Sequence, residues 1–350
     1  MHHHAKDGSC LTELIELAIP ICQQAQARCP RTGPGRKPEI PDWVLSVLIL
    51  ISVLKHRKSK SAQYRYLLAH RRKLSEVLGI QRWPGRSTYF DRYRRAWKLY
   101  EVAVQIMGER AIANDLTHAR CVAVDQSVVC ARGRKWNRRS PLPKAADRDG
   151  TWAYCTHHQW VFGYSFEVVV TAEKTGPVWP LLASVNPASV HPCKTFADKI
   201  SLLPAATRYV LADAGYDSNE IADAVEYENG MRRNGRRMLC PYPDHRSGTT
   251  TGKHNETRKR RSRRLRRRER YEFFQRDFAQ RLFRRRGKCV EPFNEWLKTR
   301  FDLHDHVWHY GLDNNKTQIL AAIFAYQLLL LFNFMQGNPT GQIQWILDTL

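Results

Sequence analysis

The stretch VLADAGYDS, residues 210–218, is an apolar segment that ends in a carboxylate and is followed by a turn. Val210 to Ala212 predict a buried strand, and Asp213 follows at its carboxyl end, where open α/β sheets form their binding crevices. A carboxylate in such a place is costly unless it is paired or binds a metal. Asp213 is therefore a candidate functional residue.

The residues after Asp213 have roles that are easier to assign. Gly215 permits a sharp turn, and Tyr216 is predicted to cover the site or to stack on a ligand. Asp217 stands three residues before Glu220, which is the spacing of a helix-capping pair. We therefore expect Asp217 to cap the helix that follows.

A second aspartate interrupts another apolar strand. The segment CVAVDQSVV, residues 121–129, carries no charged residue except Asp125. Strand side chains alternate between faces, so Asp125 shares a face with Ala123. A buried aspartate of this kind either accepts hydrogen bonds from backbone N–H groups or holds a cation. Two such aspartates in one sheet favour a site shared with Asp213.

The order of the predicted elements indicates the fold class. From residue 118 the patterning reads β-β-β-α-β-α-β-α, which predicts an α/β fold with a mixed sheet flanked by helices. Residues 1–117 are helical patches and basic stretches, and they predict a preceding all-α region. We place the sheet domain at 118–335, with a basic insert at about 241–275 and a C-terminal tail at 336–350.

Two segments of the all-α region, residues 61–80 and 86–107, resemble a helix-turn-helix. The second helix of that motif enters the major groove of DNA. Arg92 and Arg95 lie in the first turns of the second segment and are candidate DNA contacts. A basic amphipathic helix that packs on its neighbours explains the same pattern equally well.

The charge of the chain predicts a polyanionic partner. Its 57 Lys and Arg against 33 Asp and Glu give a net charge of +24. The densest run is residues 255–270, and its part from Arg258 to Arg270 is expected to be poorly ordered or a frayed helix when free, because like charges repel at i, i+4. It is expected to neutralise DNA phosphates, unless it is only a solvated loop. The candidate contacts are Arg263, Arg264, Arg267 and Arg268.

A third candidate carboxylate lies in CVEPFNEWLK, residues 289–298. Glu291, Glu295 and Lys298 have the spacing i, i+4, i+7 and so share one helix face. This face either supplies an oxygen ligand near the two aspartates or forms a solvated ladder of ion pairs. The ion-pair interpretation is preferred for Glu295, which stands three residues before Lys298.

Cysteine usage and the N-terminus favour a cytoplasmic protein. The nine cysteines are odd in number and form no Cys-x-x-Cys pair, so neither a disulfide framework nor a zinc ribbon is expected. The N-terminus lacks the pattern of a secretory signal. The apolar runs at 43–54 and 319–335 are shorter than the about 20 residues that span a membrane, and they are expected to be buried core helices.

Five segments, taken in order, resemble the DDE transposases of bacterial insertion sequences. They are VAVDQS (122–127), WVFGYSFEVVV (160–170), VNPASVHPCKTF (185–196), VLADAGYDSNEI (210–221) and CVEPFNEWLK (289–298). The resemblance covers residues of about 120 to 335 and implies an RNase H-like catalytic domain.

The resemblance assigns roles residue by residue. Asp125 and Asp213 match the two catalytic aspartates, and Glu291 matches the catalytic glutamate. Lys298 matches a lysine that contacts DNA near the cleaved end, and Tyr216 belongs to the motif of the second aspartate.

The chain departs from the family at the residues before the glutamate. The family has a tyrosine and an arginine where this chain has Arg284 and Gly287. Arg286 stands one position early and is matched to the family arginine with that displacement.

The resemblance also implies a reaction and its partners. It implies two Mg²⁺ or Mn²⁺ ions per active site, cleavage of double-stranded DNA at transposon ends, strand transfer into target DNA, and a homodimer on paired ends. Two alternatives remain open: a transposase-derived DNA-binding regulator without catalysis, and a metal-dependent nuclease without strand transfer.

Overall fold

The computed structural model describes residues 9–30, 38–133, 138–155, 159–228, 231–233, 235–241 and 257–350. A mixed β-sheet lies at its centre, with helices on both faces. The part of the expected basic insert at 242–256 lies outside the described residues.

Eight strands are present in the described chain, six of them in the central sheet. In order they are β1 (Cys121–Cys130), β2 (Thr151–Cys155), β3 (Gln159–Thr171), β4 (Pro180–Pro187), β5 (Tyr209–Leu211), β6 (Tyr227–Glu228), β7 (Met231–Arg232) and β8 (Arg237–Leu239). Strand β3 runs antiparallel to β1, β2 and β4, whereas β5 runs parallel to β1 and β8. The predicted RNase H-like sheet is confirmed.

The alternation of side chains along β1 and β5 assigns the two aspartates to one face. Ala123 belongs to the larger hydrophobic core, whereas its neighbour Val124 belongs to a smaller core on the other face. Leu211 pairs with Ala123 in the parallel ladder and also belongs to the larger core. Asp125 and Asp213 each follow by two residues and so continue that face.

The helices surround this sheet. They are α1 (Ser9–Arg28), α2 (Asp42–Leu54), α3 (Lys60–Ala69), α4 (Arg71–Leu78), α5 (Arg86–Tyr93), α6 (Trp97–Ala113), α7 (Pro192–Ala197), α8 (Asn219–Glu226), α9 (Arg258–Phe274), α10 (Asp277–Phe283), α11 (Arg285–Arg300), α12 (Leu312–Met335) and α13 (Gln344–Thr349). Two 3₁₀ turns cover Ile200–Leu202 and Ala214–Tyr216.

Helix α12 is the central helix of the larger core. It packs against α2, α6 and β4. Its 24 residues are long and apolar enough to cross a membrane by length and composition, and 83% of its most apolar window is buried in the protein. The helix is therefore longer than the apolar run in the sequence indicates, while its expected burial in the core is observed.

The N-terminal helices share the larger core with the sheet. Helix α6 packs on β4 and α12, so the chain has one continuous apolar core on both sides of residue 117. Each helix expected for the helix-turn-helix is divided in two: residues 61–80 form α3 and α4, and residues 86–107 contain α5 and the start of α6. The expected C-terminal tail includes α13, whose Ile346 is buried.

Arg92 has an internal partner. Its guanidinium contacts the carboxylate of Asp42 at the start of α2 and donates to the carbonyl oxygen of Ile40 at 2.6 Å. This pair fastens α5 to α2 and leaves 14% of the Arg92 side chain exposed, so the structure gives no support to the expected DNA contact of Arg92. Arg95 follows α5 and is exposed.

The arginine-rich run forms a helix, which corrects the expectation of poor order for residues 258–270. Thr257 caps α9. Arginines of α9 form ion pairs with Asp223 of α8 and with Asp217 just before α8, and these pairs hold the two helices together. These acidic partners lie outside the run, so they compensate the repulsion that the run alone predicts.

Candidate active site

Asp125 is a largely buried carboxylate on the central strand. It lies on β1 beyond the last pair of the parallel ladder with β5, and 14% of its side chain is exposed. Burial raises the pKa of Asp125 to about 6, while the neighbouring guanidinium of Arg286 acts in the opposite direction.

Asp213 lies on the adjacent strand's carboxyl end and is more open, with 46% of its side chain exposed. Its Oδ1 accepts a hydrogen bond from the N–H of Gly215 at 2.9 Å and so caps the 3₁₀ turn. A methyl group on Gly215 would lie 3.0 Å from that oxygen, so glycine leaves room for the carboxylate. Asp213 thus has a local structural role that the sequence did not indicate. Its other oxygen, Oδ2, lies on the side of Arg286.

Helix α11 supplies the group that joins the two aspartates. Nη2 of Arg286 contacts Oδ1 of Asp125 and lies 3.8 Å from Oδ2 of Asp213. Nδ2 of Asn294 donates to the other oxygen of Asp125 at 2.8 Å. Asn294 was missed from the sequence, although its spacing of eight residues from Arg286 puts both on one side of the helix.

Glu291 does not contact either aspartate. It is exposed on α11, and its carboxylate lies back along the helix, where a methyl group on Gly287 would be 3.3 Å from Oε1. Within the described residues, no group of three or more His, Cys, Asp or Glu side chains is arranged to hold a metal ion. The structure therefore brings together two of the three predicted carboxylates.

The donor atoms suit a hard cation. Asp125 and Asp213 offer carboxylate oxygens, which Mg²⁺ and Mn²⁺ prefer. Asn294, whose Nδ2 contacts Asp125, carries a buried Oδ1 that is without a hydrogen-bond partner in the described structure. Arg286 already shows that one cationic group can reach both carboxylates at once. The residues present thus fit one divalent ion. A second ion would need the carboxylate of Glu291 as well.

Lys298 lies beside this cluster and lines a cavity of about 660 Å³. The other walls include Trp152 and Trp160 from the β2–β3 hairpin and His304 after α11. Burial lowers the pKa of Lys298. Oε1 of Glu295 lies 3.2 Å from Nε2 of His304, a pair that is ionic only when His304 is protonated, and the expected close pair with Lys298 is not formed.

Tyr216 is not available to a ligand. Its ring is 1% exposed and meets Phe196 edge to face, and its hydroxyl donates to Oε2 of Glu167 at 2.9 Å. The expectation that Tyr216 stacks on a ligand or nucleic acid is therefore wrong. No pattern in the sequence indicates this contact, because Glu167 lies on β3, far away along the chain.

The four arginines proposed as phosphate contacts differ in their surroundings. Arg267 pairs with Asp217 at 2.7 Å in a largely buried contact, and Arg263 pairs with Glu220 at 3.3 Å. Arg268 is exposed and pairs within its own helix, with Glu272 at 2.8 Å. The remaining one, Arg264, is half-buried and also has an interaction partner.

The sheet and its two convergent aspartates define the chain as an RNase H-like protein. The family model of the transposase DDE domain matches residues 117–328. The match spans more than half of the chain, and the chain belongs to this family. No curated protein and no solved structure shows significant similarity to it. Members of the family generally use divalent metal ions and bind DNA.

Proposed function

We propose that this transposase cuts DNA at the ends of a transposon and joins the freed strand to target DNA. The observation that carries the proposal is the convergence of Asp125 and Asp213 on one cationic group, where the parallel ladder of β1 and β5 ends in an RNase H-like sheet. Asp125 and Asp213 would be metal ligands, and Glu291 would supply the third carboxylate for a pair of Mg²⁺ or Mn²⁺ ions.

The ions, when bound, would activate the attacking water or 3′-OH and stabilise the leaving oxygen. The protein's own groups would hold the substrate. Lys298 extends along the wall of the neighbouring cavity, where an ammonium group is suited to a DNA phosphate. Arg286 offers a guanidinium at the same place and would balance the charge of the two aspartates and of the scissile phosphate.

The wider DNA surface is proposed from charge. The exposed side of α9 and the exposed Arg95 would neutralise phosphates of double-stranded DNA, in keeping with the net charge of +24. We further propose a homodimer that pairs two transposon ends, an origin in a bacterial insertion sequence, and action in the cytoplasm.

The test is cleavage of a plasmid that carries the terminal repeats flanking the reading frame. Asp125→Asn and Asp213→Asn should each abolish Mg²⁺-dependent cleavage and leave DNA binding nearly unchanged, because each removes a metal ligand and no phosphate contact. Asp91→Asn, on an exposed aspartate that pairs with Arg94, is the matched control and should cleave normally.

Either aspartate variant cutting at a near wild-type rate would reject the assignment of that residue. A pre-cut transposon end then separates the remaining alternatives. Joining of its 3′-OH to target DNA supports a transposase, whereas cleavage without joining identifies a nuclease and binding without cleavage identifies a regulator.

A further inference from the structure

The described residues contain a second buried carboxylate close to the site, on the opposite face of the sheet. Glu167 lies on β3 opposite Gln126, the residue after Asp125, and it is 0% exposed. It points away from Asp125 because strand neighbours alternate: Val169, which shares its face, belongs to the smaller core.

Glu167 accepts hydrogen bonds from three donors that come from separate parts of the chain. Thr195 Oγ1 of α7 lies 2.6 Å away, Lys199 Nζ lies 2.8 Å away, and Tyr216 O–H lies 2.9 Å away. Lys199 is also buried and additionally donates to Ser184 Oγ at 2.6 Å. The network therefore joins β3, β4, α7 and the 3₁₀ turn.

Stability alone does not account for such a network. A buried ion pair costs desolvation energy, and replacing one with apolar residues of similar volume is often neutral or stabilising. What the network does provide is geometric definition, because each donor has a fixed position relative to the same carboxylate.

The segment that this network fixes is the turn that carries Asp213. Asp213 caps the turn at its start, and Tyr216 is its last residue. Two cysteine thiols also donate hydrogen bonds to the backbone of this turn. Cys240 Sγ lies 2.8 Å from the carbonyl oxygen of Asp213, and Cys193 Sγ lies 3.5 Å from that of Gly215.

We propose that Glu167 is a positioning residue, which holds the carboxylate of Asp213 in place for a divalent cation through the hydroxyl of Tyr216. This inference rests on the proposed role of Asp213 as a metal ligand. Glu167 itself contacts neither the ion nor the DNA, because its side chain is buried on the face of the sheet opposite Asp125.

Tyr216→Phe tests this with the smallest possible change, because it removes one O–H and keeps the ring. The measurement is Mn²⁺ binding to the full chain without DNA, by calorimetry, together with chemical unfolding. Loss of a group that orients a metal ligand typically weakens metal binding about 10–100-fold, and this is the expected result. Glu167→Leu with Lys199→Met, which removes both buried charges and the acceptor of the Tyr216 hydroxyl, should weaken Mn²⁺ binding in the same range.

Tyr164→Phe is the matched control. Tyr164 is another fully buried tyrosine whose hydroxyl donates to a buried carboxylate, Oδ2 of Asp147, at 2.6 Å. The Tyr164→Phe variant should lower the denaturant midpoint of unfolding by an amount comparable to that of Tyr216→Phe and leave Mn²⁺ affinity unchanged. Equal weakening of Mn²⁺ binding by both tyrosine variants would overturn the proposal, because it would show general loosening of the fold.

Asp213→Asn separates this inference from the proposed function. If Asp213→Asn binds Mn²⁺ as tightly as the wild type, the metal site itself is wrong and the positioning role fails with it. If Asp213→Asn loses binding while Tyr216→Phe retains it, the metal site stands and only the positioning role of Glu167 is rejected.

Discussion

Asp217 and Ser218 are neighbours with different tasks at the start of α8. The hydroxyl of Ser218 accepts from the N–H of Ile221 and caps the helix, whereas the carboxylate of Asp217 pairs with Arg267 of α9 at 2.7 Å. The expectation that Asp217 is the cap was therefore wrong by one residue. Both residue types are good caps, so the spacing to Glu220 did not distinguish them.

Exchange of each residue for alanine should separate capping from helix docking. Ser218→Ala should lower the free energy of unfolding by about 0.5–2 kcal/mol and leave the packing of α9 intact. Asp217→Ala should leave Arg267 without its carboxylate and increase the rate of hydrogen exchange in α9. Faster exchange in α9 in the Ser218 variant alone would contradict this division.

At the residue scale, the sequence located charged groups better than it located their partners. Asp125 and Asp213 were recognisable because an aspartate in an apolar strand is costly, and the structure brings both to Arg286. The burial of Tyr216 was not recognisable, since its partner Glu167 is distant in sequence. Glu167 itself is a charged residue in an apolar strand, so it carried the same signal as the two aspartates and was missed.

At the scale of elements, α9 has one side that holds the protein together and one side that faces solvent. Arg263 and Arg270, seven residues apart, pair with Glu220 and Asp223 on α8. Arg261 and Arg268 have the same separation and are exposed. The sequence predicted the charge of this helix but not its order, because order depends on acidic groups of another helix.

Two double variants with equal charge change test this division. Arg261→Ser with Arg268→Ser should reduce the slope of log K against log[salt] for duplex DNA by about two units, roughly one for each phosphate that is no longer neutralised. Arg263→Ser with Arg270→Ser should change the slope little. It should instead lower the free energy of unfolding by about 1–3 kcal/mol, because Asp223 loses a buried donor.

Equal salt slopes for the two double variants would show that the exposed side of α9 has no special part in DNA binding. Binding to specific and random DNA should weaken about equally in the exposed pair, since phosphate contacts carry no base information.

Whether the sequence predicted each of the remaining strands and helices depended on the length of that element. The long strands β1 and β3 were predicted because apolar and β-branched residues dominate them, whereas the five residues of β2 were missed. The helix expected after Asp217 ends at Glu226, and the chain continues directly into β6. Short elements such as these are stabilised by pairing with the rest of the sheet, which local sequence does not show.

At the scale of the whole molecule, the N-terminal helices and the C-terminal helix form one body through a polar contact as well as through the core. The hydroxyl of Tyr93 at the end of α5 lies 2.9 Å from Nε2 of His309, before α12. Thr317 of α12 donates to the carbonyl oxygen of Tyr93 at 2.7 Å. The sequence suggested a separate all-α region because it shows composition but not which apolar faces meet.

His309 should make the stability of the whole molecule sensitive to mild acid. Burial, with the nearby charges of Lys60 and Arg132, lowers the pKa of His309 from 6.5 to about 3. The unfolded chain therefore takes up a proton below pH 6.5 that the folded chain does not, so stability present above that pH is lost as the pH falls towards 3. The loss should approach about 1.4 kcal/mol per pH unit.

His309→Gln removes this proton uptake and keeps an amide near the position of Nε2. Its free energy of unfolding, measured by denaturant titration between pH 7 and pH 5, should fall less steeply with acid than that of the wild type. His306→Gln, on an exposed histidine, is the control and should follow the wild type. The net charge of the protein rises in acid for all three chains, so only the difference between slopes reports His309. Parallel curves for His309→Gln and the wild type would show that His309 takes up its proton in the folded protein as readily as in the unfolded chain, and the contact between α5 and the segment before α12 would then not be the acid-sensitive point of the fold.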